Sequence, residues 1–119
     1  MEHDKPTVLY VEDEDLIRTL VSKFLAKHFE VITAANGKEA LEKFQEHKAD
    51  FIVTDITMPK MNGITLIKAL KEMDGSLPVF VTTAHTDKYG SIDGVEQIYG
   101  KPIDCKKMIN DIKDHLQLV

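Results

Sequence analysis

The chain has 119 residues, 43% of them apolar and 29% charged. That is the size and composition of one globular domain, residues 1–119, around one core, and it excludes a disordered chain, a collagen-like repeat and a coiled coil. Twenty acidic against fifteen basic residues leave a net charge of −5, the wrong sign for direct nucleic-acid binding. A single cysteine, Cys105, excludes an internal disulfide framework and a cysteine-based zinc site. The apolar runs are too short for a membrane span, and Met1-Glu2-His3-Asp4-Lys5-Pro6 carries no apolar leader segment. A cytoplasmic protein with no membrane partner is therefore expected.

In chain order, Val8-Leu9-Tyr10-Val11 reads as a strand that is apolar on both faces, as in a sheet covered above and below. Leu16, Ile17, Leu20, Val21, Phe24 and Leu25 follow at helical spacing, with Asp13 or Asp15 expected as the cap. Val31-Ile32-Thr33 is the second strand, and Asn36-Gly37 opens a helix carrying Ala40, Leu41 and Phe44. Phe51-Ile52-Val53-Thr54 is the third strand, followed by a helix with Ile64, Leu66, Ile67 and Leu70 that ends near Gly75. Val79-Phe80-Val81-Thr82 is the fourth strand. The segment from His85 to Gly94 holds Gly90 and Gly94 and almost no apolar stripe, so a fourth helix there is short or irregular. A weaker fifth strand spans Val95 to Tyr99, and a last helix after Pro102 shows Ile103, Met108, Ile109, Ile112 and Leu116.

Alternating strands and helices with short connections predict βαβ units, a parallel sheet and right-handed crossovers. Five strands and about five helices in this length fit an α/β, doubly wound, flavodoxin-like sheet of order 2-1-3-4-5. Ligands of such sheets bind beyond the C-terminal strand ends. Glu12 and Asp13 leave the first strand there, Asp55 the third, Thr83 the fourth and Lys101 the fifth. Three gathered carboxylates repel unless a cation joins them, and hard oxygen ligands suit Mg²⁺. Asp55 is then a candidate nucleophile forming an aspartyl-phosphate, Lys101 a point charge for phosphoryl oxygens and Thr83 a hydroxyl donor to one of them. Each residue alone has an ordinary explanation: a cap, a turn residue, a strand-end hydroxyl or a surface charge. Their conjunction at strand ends carries the reading.

Other motifs do not compete. Asn36-Gly37-Lys38-Glu39 lacks the glycine and hydroxyl of a phosphate loop. His3, His28, His47, His85 and His115 show no metal spacing, and Ser76 and Ser91 have no placed base. An aspartyl-phosphate phosphatase of the haloacid dehalogenase kind needs a second acid two residues after its nucleophile, where this chain has Thr57.

The stretches Val8-Leu9-Tyr10-Val11-Glu12-Asp13-Glu14, Val53-Thr54-Asp55-Ile56-Thr57-Met58-Pro59-Lys60-Met61-Asn62-Gly63, Val81-Thr82-Thr83-Ala84-His85 and Lys101-Pro102-Ile103 together resemble the receiver (CheY-like) domain of two-component response regulators, end to end. The resemblance implies Asp55 as phosphoacceptor, Asp13 as a direct Mg²⁺ ligand, Glu12 as one acting through water, and the Thr57 carbonyl as a further ligand beside Asp55. It matches Thr83 to the family's switch hydroxyl, Lys101 to its lysine, and Pro59 and Gly63 to the loop shaping the site; Lys101-Pro102 is expected to be cis. Thr57 and His85 flank the site as candidates for setting the dephosphorylation rate. The implied partners are a sensor histidine kinase or histidine phosphotransfer protein as donor, and a downstream protein target or an output domain outside this chain. A phosphorylation-dependent homodimer belongs to the same set. Such a domain is a signalling switch rather than an enzyme, promoting only its own phosphotransfer and dephosphorylation and changing shape at the fourth-helix and fifth-strand face. Two departures stand out. The spacing from Thr83 to Lys101 is short of the family pattern by about one helical turn of 3.6 residues. The family's switch aromatic falls at Ile98, with Tyr99 beside it; neighbours on a strand face opposite ways, so either Tyr99 serves in a shifted register or that aromatic is absent.

Overall fold

A computed structural model describes residues 5–58, 61–86 and 92–117. Strands β1 (Thr7–Val11), β2 (Glu30–Ala34), β3 (Phe51–Asp55), β4 (Val79–Thr83) and β5 (Gln97–Gly100) form one parallel sheet of order β2-β1-β3-β4-β5. Strand order reverses at β1, so β1 and β3 flank the crevice where such sheets bind ligands. The helices are α1 (Asp15–Ala26), α2 (Gly37–Glu46), α3 (Gly63–Met73) and α4 (Cys105–His115).

Period-two alternation divides each strand between two cores. Val8, Tyr10, Phe51, Val53, Phe80 and Tyr99 pack with Val21 and Leu25 of α1 and Met108, Ile109 and Ile112 of α4. Leu9, Val11, Ile52, Val79 and Val81 pack with Ala40 and Phe44 of α2 and Leu66, Ile67 and Leu70 of α3. Among the described residues two helices therefore cover each face, the doubly wound arrangement expected. Edge-to-face contacts Phe29–Phe51 at 4.9 Å and Phe51–Phe80 at 6.1 Å between centroids line the first core.

Helix starts follow local chemistry. Asn36 accepts the Glu39 amide at 2.9 Å, Asn62 the Thr65 amide at 2.9 Å, and Asp104 the Lys107 amide at 3.1 Å, each satisfying a free first-turn donor. The start of α1 differs from expectation: its N-cap is Glu14, with no side-chain cap bond, rather than Asp13 or Asp15. The Glu14 amide instead donates to the Glu12 carboxylate, so the acidic turn is spent on the strand-end site. The apolar stripe of α1 is also wider than its buried face. Leu16, Leu20 and Phe24 are 71%, 49% and 49% exposed, while Val21 and Leu25 are buried.

Four helices are found among the described residues, not five. His85, Thr86 and residues 92–94 carry none; residues 87–91 of that segment, like Pro59 of the site loop, lie outside the described residues. The Lys101-Pro102 bond is cis, as expected. Among the described residues no helix is long and apolar enough to cross a membrane.

Candidate functional site

The register builds the site. Val11 lies opposite Thr54, so Glu12 and Asp55 leave adjacent strand ends side by side. Asp55 lies opposite Thr82 and Thr83 opposite Gly100, which brings Lys101 to the same rim. Its amide donates to the Thr83 carbonyl at 2.9 Å, one ladder step past β5. Glu12 is 0% exposed and Asp55 4%; Asp13 is partly exposed.

Lys101 is the hub. Its Nζ donates to Glu12 Oε1 at 2.9 Å and to Asp55 Oδ2 at 3.0 Å. The second Glu12 oxygen accepts the Glu14 amide at 3.1 Å, and Asp55 Oδ1 accepts the Thr57 amide at 3.3 Å. Burial pushes the Glu12 carboxyl above its ordinary range, against the opposing pull of Lys101 and the Glu14 amide. Burial would lower the Lys101 ammonium, but its hydrogen bonds and charge attraction to Glu12 and Asp55 outweigh this and raise it. Lys101 is therefore a fixed cation between two buried acids.

One carboxylate oxygen each from Glu12, Asp13 and Asp55 lie within 4.8 Å of one another. Oxygen-only donors at that spacing, with one partly exposed member, fit a hard divalent cation that keeps some of its water. Asp13, Asp55, Thr57, His85 and Lys101 line a cleft of about 190 Å³, a size for a small group rather than for a nucleotide.

The glycine at the head of α3 presses on the site from below. A Cβ at Gly63 would lie 2.5 Å from the Asp55 carbonyl oxygen and 2.7 Å from Ile56 Cα, and the Gly63 amide donates to the Ile56 carbonyl at 2.8 Å. Only a residue without a side chain lets α3 start this close to the Asp55 backbone.

Glu12, Asp13, Asp55, Thr57 and Lys101 are thus brought together as the sequence predicts. Thr83 is at the neighbouring strand end and fully buried, but its hydroxyl accepts the His85 amide at 3.0 Å rather than bonding to Asp55. In that bond the oxygen is the acceptor, so the hydroxyl proton is left to donate elsewhere. Tyr99 pairs with Thr82, and Ile98 with Val81, in an unbroken register. Tyr99 faces the α1/α4 core and Ile98 packs on the other core. The Tyr99 hydroxyl donates to Asp111 Oδ2 at 2.8 Å, and burial together with that carboxylate pushes its pKa far up. Tyr99 and Ile98 therefore occupy opposite faces and are not exchanged by a register shift.

One participant escaped the sequence reading. Arg18 of α1 donates from Nη1 to the Glu12 carbonyl at 2.8 Å and from Nη2 to the Asp15 carboxylate. Its spacing from Asp15 marks a helical ion pair, but a carbonyl partner leaves no trace in a side-chain pattern.

Comparison with known proteins agrees with this geometry. Residues 8–113 match the response regulator receiver domain family. The chain is 33% identical over 115 residues to the chemotaxis protein CheY of Bacillus subtilis, covering 92% of this chain and 96% of that one. It is 37% identical over 90 residues to the alkaline phosphatase synthesis transcriptional regulatory protein PhoP of the same organism, covering 75% of this chain but 38% of that protein. It spans only 7% of hybrid signal transduction histidine kinase D of Dictyostelium discoideum, at 33% identity over 90% of this chain. Among solved structures, CheY4 of Vibrio cholerae superposes with a TM-score of 0.84 at 30% identity, covering 93% of this chain and 98% of that one. The receiver domain of the hybrid histidine kinase CckA gives 0.79 at 34% identity, covering 92% and 98%. The chain belongs to the response regulator receiver domain family, the phosphorylation-dependent switches of two-component signalling.

Proposed function

We propose that residues 1–119 are one receiver domain that takes a phosphoryl group onto Asp55 from a phosphohistidine. The donor is a sensor histidine kinase or a histidine phosphotransfer protein. The observation that carries this reading is Lys101 Nζ held between Glu12 and Asp55, at one edge of a cleft where three carboxylates converge. An Asp55 carboxylate oxygen attacks phosphorus, the P–N bond breaks, and its electron pair stays on the imidazole nitrogen of the donor. Mg²⁺, held by Glu12, Asp13, Asp55 and the Thr57 carbonyl, supplies charge neutralisation at the phosphoryl oxygens when bound. Lys101 holds Asp55 in place before transfer and follows the negative charge afterwards. Phosphoryl transfer asks mainly for positioning and charge stabilisation, and each residue here does one of the two.

A phosphoryl group on Asp55 offers the Thr83 hydroxyl proton an acceptor. Moving that hydroxyl pulls on its bond from the His85 amide, and so on the segment after β4. This is how charge at the site becomes a change of surface between β4 and β5. The exposed Leu20 and Phe24 line an apolar groove of about 240 Å³ that reaches Lys101 and Pro102; a protein bringing its phosphohistidine to Asp55 covers this groove. The target is a protein reading the altered surface: a separate partner, an output domain in a longer chain, or a second copy in a phosphorylation-dependent dimer.

Acetyl phosphate with Mg²⁺ tests the reading. Wild type should gain an acid-labile and base-labile phosphoryl group and D55N none. Equal labelling of D55N would overturn the assignment.

A further inference from the structure

We propose that Arg18 is a positioning residue that sets the geometry of the acidic turn for divalent-cation binding. The inference rests on the cation-site reading above. Glu12, Asp13, Glu14 and Asp15 are four successive carboxylates, which repel one another. They lead into a helix whose N-cap makes no side-chain bond. Arg18, one turn inside α1, spans this turn with a single planar guanidinium: Nη1 holds the Glu12 carbonyl at 2.8 Å and Nη2 holds the Asp15 carboxylate. Its own amide donates to the Glu14 carbonyl at 2.9 Å. Asp13 lies between the two clamped points. Among the described residues no hydrogen bond holds the Asp13 carboxylate, so its place beside Glu12 and Asp55 follows from the backbone that Arg18 fixes. Lysine carries its donors on one atom rather than on a planar fork and does not reproduce this two-armed geometry.

The sign of the effect separates this role from simple charge. A positive group near a cation site opposes binding by Coulomb repulsion, so loss of charge alone tightens Mg²⁺ binding, whereas loss of the clamp weakens it. The experiment titrates MgCl₂ into wild type, R18M and R18K, following the amide shifts of Asp13 and Asp55, with thermal unfolding in EDTA recorded alongside. R18M should bind Mg²⁺ about tenfold more weakly, the low end for residues that orient metal ligands. R18K, with the charge kept and the fork lost, should be weaker by about threefold or more. R18M binding as tightly as wild type or more tightly overturns the proposal, as does R18K at wild-type affinity. If R18M does not fold, R18K decides alone. Wild type showing no Mg²⁺-dependent shifts overturns the cation-site reading itself, and this inference with it.

Discussion

Replacing Lys101 by methionine keeps the length of the side chain and removes the charge from the centre of the site. The ammonium is the shared partner of Glu12 at 2.9 Å and Asp55 at 3.0 Å, two carboxylates that are almost wholly buried. Its loss leaves both without their cation, and breaking a buried pair in this way costs about 3–5 kcal/mol. The cost depends on pH. Burial already raises the Glu12 carboxyl above its ordinary value of 4.5, and Lys101 is the main force pulling it down; without Lys101 it rises further. A carboxyl raised in the folded state contributes stability below its unfolded pKa and loses that contribution as pH rises through the folded pKa. The penalty of K101M is therefore small near pH 4.5 and full at pH 7.5. Urea unfolding followed by circular dichroism, in EDTA, reads it directly. With a slope of about 2 kcal/mol per molar urea, a loss of ~3 kcal/mol moves the midpoint down by about 1.5 M at pH 7.5. Millimolar Mg²⁺ should restore part of that loss. A midpoint shift that is equal at both pH values and indifferent to Mg²⁺ would refute the electrostatic account of the site.

Residues that support the site respond in their own ways. G63A places a Cβ against the Asp55 carbonyl and Ile56 Cα; overpacking against backbone costs about 1–3 kcal/mol, and phosphorylation from acetyl phosphate should slow because Asp55 itself is displaced. Labelling at the wild-type rate in a folded G63A would remove this contact from the account. Y99F deletes the hydrogen bond to Asp111 and should lower stability by about 1 kcal/mol while leaving the labelling rate of Asp55 unchanged, measured on the same preparations. N36A removes the cap on the Glu39 amide and should lower the unfolding free energy by about 1 kcal/mol without changing Mg²⁺ affinity. Above pH 10.5, wild type should lose stability in urea unfolding as Lys101 deprotonates: its folded pKa is raised above the ordinary 10.5, so its contribution holds below 10.5 and fades as pH climbs through the higher folded value.

How much of this was legible beforehand follows from what leaves a pattern. Strands that are apolar on both faces and helices with i, i+3, i+4 stripes stand out, because burial on two sides and on one side write different periods. The site residues were legible because each directly follows a strand, so topology alone gathers Glu12, Asp13, Asp55 and Lys101. The start of α1 differs from the Asp13 or Asp15 cap that the pattern suggests, since successive acids precede the helix and only the competing demand of the strand-end site decides among them. The exposed Leu16, Leu20 and Phe24 sit on a helix apolar on two sides, where period cannot tell the core side from the solvent side. The orientation of Thr83 depends on one loop amide, that of His85, and the role of Arg18 on one backbone carbonyl; neither bond is written in residue types. Sequence alone does not decide between Tyr99 and Ile98, because a strand's register is settled by its neighbours, here Thr82 and Val81.

The proposed function stands or falls with the phosphoryl group being on Asp55. Labelling the protein with acetyl phosphate and Mg²⁺, reducing the acyl phosphate with borohydride and sequencing the peptides by mass spectrometry locates the modified residue. The account predicts homoserine at position 55 and nowhere else. Homoserine at Asp13, hydroxynorvaline at Glu12, or a phosphoryl group on a histidine, serine or threonine with Asp55 untouched, would contradict it.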